Sequence, residues 1–402
     1  MPNTTQRTQD GTEHEPCPPS ARCAPVPAPS VGRADRGQQS ESEVLVFSRY
    51  ADVAVIARDP AFEAKDAAWF DAYLPGWRRS PGMRLFGTSM VFHNGASHQR
   101  LRKAASPAFS PARLRSLRET VHAATEECLD LLDARPHGDV VDLHALLTLP
   151  VTCRTQCALI GLPEQDAPFL HELVQPLLAL LDPVVGPRAL READRAAETL
   201  RPYLDRLVAE RRARPGEDLA SSVACLLGDD EAASALALAL TAGFDTTVTL
   251  LDHAITALMT SPARAAVAAG EPSHVDAAIS ESLRLAPPVR LITRVARHEV
   301  TVGGVRVPAG REVMALIAEA HRDPEHFTDP DVFDPNRPAS RLLSFGGGAH
   351  YCLGAQLARL EASLVLPALL RRFPRMAPAG PPCPDDRVTV SGWTALPVVL
   401  DP

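Results

Sequence analysis

From Val44 onward the chain alternates long stretches of helical spacing with short apolar runs. Apolar residues recur every three to four positions over 108–134, 140–161, 164–181, 188–213, 218–227, 262–268, 273–285 and 353–372, which predicts helices that each bury one stripe. Residues 50–59 predict a further helix, following a strand at 44–48. The stretch 231–260 is apolar on nearly every side, the pattern of a central buried helix or a membrane span. Asp245, Thr246, Thr247 and Asp252 interrupt it, so no uninterrupted run reaches the roughly 18 residues a span needs. Further short strands are predicted at 298–301, 304–307, 312–316 and 387–400, with Gly303-Gly304 as a hairpin turn. The fold class expected is mostly α with a small β lobe (α+β). Residues 1–43 are rich in Pro, Ser, Gln, Thr and charge, and are predicted to be a disordered extension. No linker interrupts 44–402, which is predicted to be one domain.

Charge narrows the function. A net charge of −8 and a pI near 5.9 argue against general nucleic-acid binding. One basic stretch, Arg100 to Arg118, reads either as a solvated helix face or as a docking patch for an acidic electron donor. Of the eight cysteines, all but Cys352 lack zinc or disulfide context, which fits a cytoplasmic protein. No signal region or anchor is evident, so a soluble monomer without membrane contact is expected.

Cys352 is the residue with the sharpest chemistry. It follows Phe345-Gly346-Gly347-Gly348-Ala349-His350-Tyr351, and a helical pattern begins just after it. Glycines let backbone lie close to a flat ligand, and a helix N-terminus favours a thiolate. A thiolate so placed suits haem iron as an axial ligand. A lone cysteine is more often a small buried hydrophobe, and a glycine run a plain turn. No Lys-Ser/Thr follows the glycines, which excludes a P-loop. Phe345, Gly348, Cys352 and Gly354 together meet Phe-x-x-Gly-x-x-x-Cys-x-Gly, and here the chain resembles the cytochrome P450 family.

The resemblance covers about residue 44 to the end and implies that family's fold, with haem b as cofactor and Cys352 as its iron ligand. Glu281 and Arg284, three apart on one helix face, resemble the family's Glu-x-x-Arg pair, and Arg337 resembles the arginine that closes it. Their implied role is structural. Ala242-Gly243-Phe244-Asp245-Thr246-Thr247 meets the family's oxygen-activation motif. It implies that Gly243 opens the helix, Thr246 offers a hydroxyl and Asp245 relays protons; a helix kink with threonines bonded back to carbonyls is the plainer reading. His98, Arg102, Arg294 and His350 match the partners of the haem propionates. The implied pocket is Met90, Val91, Phe92, Phe244, Val289, Arg290, Leu291, Ile292, Trp393 and Thr394. Arg290 either faces an acidic substrate or binds a propionate. Relatives carry a short helix and strand before Val44 that this sequence lacks, so a sheet edge is expected to be unpaired or filled by Pro25 to Val31.

The activity implied is insertion of one oxygen atom from O2 into a small organic substrate, by hydroxylation or epoxidation. Electrons would come from a separate ferredoxin and ferredoxin reductase. The Ala-, Arg- and Pro-rich composition suggests bacterial specialised metabolism. Oxidative coupling, peroxide-driven oxidation and a haem sensor are the rival readings.

Overall fold

The computed structural model describes residues 44–400 other than 137, 339–341 and 386. The extension 1–43, including Pro25 to Val31, lies outside the described residues. Fourteen helices follow one another among the described residues. They are α1 (Tyr50–Arg58), α2 (Ala67–Tyr73), α3 (Pro81–Gly87), α4 (Gly95–Ala105), α5 (Pro111–Asp133), α6 (Leu149–Ile160) and α7 (Ala167–Leu178), then α8 (Pro187–Ala213), α9 (Leu219–Leu226), α10 (Asp229–Met259), α11 (Arg264–Ala268), α12 (Pro272–Leu285), α13 (Ile317–Ala320) and α14 (Ala355–Arg372). Local chemistry sets several starts. Ser110 accepts the Arg113 N–H ahead of Pro111, and Asp218 accepts the Ser221 N–H, so each satisfies an amide that the first turn leaves open.

The long central helix α10 organises the packing. One large apolar cluster covers its first half as far as Phe244, against α3, α6, α7, α8 and α9. A second begins at Leu250, against α5, α12 and α14. The gap between them is the polar stretch 245–249. By length and apolarity α10 could cross a membrane after all, but 72% of its most apolar window is buried inside the protein, as in a core helix.

The β lobe is a four-stranded sheet in the order β1 (Leu45–Phe47), β7 (Glu312–Leu316), β4 (Leu291–Ala296) and β2 (Phe62–Glu63). β1 runs parallel to β7, and the other pairs are antiparallel. Among the described residues nothing pairs with the outer edge of β1. The hairpin β5 (Val300–Val302) and β6 (Val305–Val307) turns at Gly303 and Gly304, both with positive φ, as a type I′ turn requires.

Two expected elements are corrected. The helix expected over 140–161 begins instead as β3 (Val140–Asp142) and a π-helical turn at His144–Thr148. Asp142 causes this: its Oδ1 accepts the N–H groups of both His144 and Leu396, tying the segment to the C-terminal strand. The run 387–400 divides between two sheets. β10 (Trp393–Ala395) pairs with β9 (Cys383–Pro384), while β11 (Pro397–Val399) lies between β3 and β8 (Ala377–Pro378).

Candidate functional site

A cavity of about 700 Å³ lies against the middle of α10, and Cys352 forms part of its wall. The thiol is open to this cavity although it is deep in the chain. The Cys352 N–H donates to the Phe345 carbonyl at 2.9 Å, which fixes the loop. α14 starts without a side-chain cap, and the N–H groups of Gly354 and Ala355 point to the sulfur instead. Burial pushes the thiol pKa up, while those amides and the Arg102 charge pull it partly back. The helix N-terminus alone therefore does not ionise Cys352; a bound metal cation would.

Four basic groups border the same cavity. The rings of His98 and His350 lie 4.3 Å apart, with Arg102 and Arg294 close enough to lower the affinity of both for protons. Burial first, then Arg294, brings His350 down to about 3. Burial brings Arg294 down to about 10, which leaves it cationic at neutral pH. Its guanidinium donates only to the Thr293 carbonyl, at 2.8 Å, and no carboxylate pairs with Arg102 or Arg294 among the described residues. Two guanidinium groups side by side without a counter-ion are costly, and the two neutral imidazoles beside them can add hydrogen bonds, so this set is built for an anionic ligand.

The glycine loop is corrected in its reason. A Cβ on Gly347 would stand 2.5 Å from Arg58 Cγ, and one on Gly348 3.0 Å from the Arg58 carbonyl. These glycines admit the end of α1 rather than a flat ligand. Of the motif residues, Phe345, Gly346 and Gly354 reach the cavity wall, and Gly348 does not.

Behind the loop, Glu281 takes both Nε and Nη2 of Arg284 at 2.8 Å and the Arg337 Nε at 3.0 Å. The two guanidinium groups also donate to carbonyls of Val332 and of its neighbours. All three sequence-nominated residues are thus brought together, with Arg284 fully buried.

On α10, Ala242, Gly243, Thr246 and Thr247 border the cavity. Thr246 Oγ1 donates to the Ala242 carbonyl at 2.6 Å, the local bond of the plainer reading. Asp245 lies off the wall. Gln175 Nε2 donates to its two oxygens at 2.9 and 3.0 Å, with His171 Nε2 at 3.6 Å and Arg387 Nη2 at 3.5 Å. Burial pushes this carboxyl up, but His171, Arg387 and Gln175 outweigh it and hold it below the usual range.

Gly243 also has a packing purpose besides bordering the cavity. A Cβ there would stand 2.4 Å from Gln156 Oε1, so the glycine admits a side chain of α6. Sequence reasoning missed Gln156, and also Glu361. The Glu361 carboxyl is buried with the Thr152 hydroxyl beside it and no cation, and Gln156 Oε1 and Thr241 Oγ1 are buried without a hydrogen-bond partner among the described residues. Burial raises the Glu361 carboxyl well above its ordinary value.

The family profile described as Cytochrome P450 matches residues 273–397. Cytochrome P450 BJ-3 of Bradyrhizobium diazoefficiens is 31% identical over 91% of this chain and 90% of its own length. The chain belongs to the cytochrome P450 family. 6-Deoxyerythronolide B hydroxylase of Saccharopolyspora erythraea is 34% identical over 73% of this chain and 72% of its own. A crystal structure of P450BioI with a hexadecenoyl acyl carrier protein superposes with a TM-score of 0.82, at 29% identity, over 88% of this chain and 91% of that one. The protein is therefore a cytochrome P450 monooxygenase, an oxidoreductase, and haem iron is the family's cofactor.

The residues present fit haem: one thiol faces the cavity, and Arg102 and Arg294, without a counter-ion among the described residues, stand with His98 and His350 beside them where two carboxylates would neutralise the guanidinium groups. The pocket expected of this cytochrome P450 is partly corrected. Met90, Val91, Phe92, Val289, Leu291 and Ile292 line the cavity, whereas Phe244, Arg290, Trp393 and Thr394 do not. Phe244 turns into the first apolar cluster and meets the His171 ring edge-on. Trp393 packs on His253 instead. Arg290 precedes β4, and its backbone is held on both sides, by the Thr389 carbonyl and the Ala318 N–H.

Proposed function

We propose that this P450 inserts one oxygen atom from O2, by hydroxylation or epoxidation, into a small organic substrate of specialised metabolism. The hydroxylase among its relatives supports that setting. The carrying observation is the pairing, across one cavity, of Cys352 and its basic surround with the polar break in α10. Haem b would be held by Cys352 at the iron and by His98, Arg102, Arg294 and His350 at its carboxylates. Bound haem supplies the activation of dioxygen. The chain's part is to keep Cys352 fixed through the Phe345 carbonyl and the α14 amides, to exclude water with an apolar wall, and to bring protons to the cavity. Asp245, ionised at rest and in contact with His171 and Arg387, takes a proton from the surface side, and Thr246 presents its hydroxyl on the cavity side. Glu281, Arg284 and Arg337 brace the segment that leads to the cysteine loop. Residues 44–402 would act as one domain, with a separate ferredoxin and its reductase as electron donors.

Carbon monoxide binding to the reduced protein tests the reading. The wild type should give the long-wavelength band of thiolate-bound haem, and Cys352→Ala should lose that band while keeping its helicity. An unchanged band in the variant would rule out Cys352 as the ligand.

A further inference from the structure

Apart from the four basic groups assigned to the haem carboxylates, the lysine and carboxylate side chains on the cavity wall are Lys65, Asp182 and Glu231. Lys65 is neutralised by Glu312 at 2.5 Å. Glu231 is gripped by both terminal nitrogens of Arg100, at 2.8 and 2.5 Å. Asp182 differs from both. Its Oδ1 accepts the Thr389 N–H at 2.8 Å, and no cation pairs with it among the described residues. Arg290, the cation that the sequence placed here, is off the wall. With haem in place, the substrate space therefore carries one uncompensated negative charge.

That charge is held in position. Asp182 lies between Leu181 and the start of α8, and Thr389 joins this turn to the C-terminal segment. The Thr389 amide binds the carboxylate, and its hydroxyl donates to the Leu181 carbonyl at 3.1 Å. The carboxylate is half-buried rather than free in bulk water, so its field is only partly screened. Phe70 and Tyr73 border the same cavity, and aromatic faces attract ammonium groups and repel carboxylates; the neighbouring Trp69 ring already holds the Lys65 ammonium, 4.9 Å from its centre.

We propose that Asp182 is the counter-ion for a positively charged nitrogen on the substrate, whose class is an apolar skeleton bearing an ammonium group. The proposal rests on the haem reading above. It reverses the preference for acidic substrates that the sequence suggested. Anchoring the nitrogen at Asp182 also limits which substrate carbons can face the Cys352 side of the cavity, so the same residue helps to set the site of oxidation.

Three isosteric probes test this on the full-length haem-loaded protein at pH 7: a biphenyl ending in trimethylammonium, tert-butyl or carboxylate. None carries a nitrogen lone pair that could bind iron. Binding is read from the shift of the haem Soret band. The trimethylammonium probe should bind about 5- to 10-fold more tightly than the tert-butyl probe, as a partly screened ion pair allows, and the carboxylate probe should bind weakest. Asp182→Asn should erase the difference between the first two and leave tert-butyl affinity within about twofold. Asp182→Lys should make the carboxylate probe the tightest, and serves if the Asn variant is unstable. Equal affinities in the wild type, or a cation preference that survives in Asp182→Asn, would overturn the proposal. So would silence from all three probes while carbon monoxide still gives the thiolate band. Loss of that band would instead count against the haem reading.

Discussion

Asp245 and Glu361 show how far burial alone fails to determine the state of a carboxyl group. Both are removed from water, yet Asp245 has His171, Gln175 and Arg387 around it and is held in the ionised form, whereas Glu361 has no cation beside it, only the Thr152 hydroxyl, and burial favours its protonated form. Asp245→Asn should slow turnover with little effect on substrate affinity, and Thr246→Ala should consume reductant but divert it to peroxide. Product formation at the wild-type rate with full coupling in both variants would remove them from the relay. For Glu361 the folded protein keeps a proton that the unfolded chain gives up above its ordinary value of 4.5. Stability is therefore lost as pH rises past that value, by about 1.4 kcal/mol per unit until the folded group itself ionises. Glu361→Gln lacks this dependence. As pH rises above about 4.5, its melting temperature should therefore gain steadily on the wild type. A constant difference would mean that water or another group stabilises the charged form.

At the scale of elements, the site is set by how closely helices approach one another. α6 reaches α10 because Gly243 leaves room for Gln156, and α1 reaches the cysteine loop because Gly347 and Gly348 leave room for Arg58. Gly243→Ala would add about 1 kcal/mol of helix propensity but force a buried amide to move, at a cost of about 1–3 kcal/mol. In the wild-type background the substitution should lower the melting temperature. With Gln156→Ala already present it should raise it, because the obstruction is gone and the propensity gain remains. A thermal-melt double-mutant cycle would show this change of sign, and simple additivity would argue against the contact. The helix ends near 187, 219, 272 and 372 were legible from periodicity, while the start at Pro111 was expected three residues too early. The β3 segment was not, because Asp142 receives its second amide from Leu396, more than two hundred residues away.

At the scale of the whole molecule, the outer edge of β1 is unpaired among the described residues. Removing residues 1–43 should leave haem content and melting temperature nearly unchanged; a drop of more than a few degrees would show that this extension supports the edge. The sequence by itself determined the helix-dominated class and the central helix, written in local periodicity, and its motifs marked the cysteine loop, while the residues that gather around that loop followed from the family resemblance those motifs carry. Glu281, Arg284 and Arg337 were nominated from short motifs and do meet. What only the tertiary structure decided was direction. Phe244 and Arg290 neighbour residues that line the cavity, yet neither faces it. Whether a side chain on a nearly all-buried helix, or just before a strand, points to ligand or to protein depends on partners distant in sequence. So does the charge on a buried acid, which follows from whichever donors those partners bring. Asp182 drew no notice in the sequence for that reason: a lone aspartate in a turn becomes a candidate anchor only once Thr389 fixes it at a cavity wall where Lys65 and Glu231 already have their counterparts.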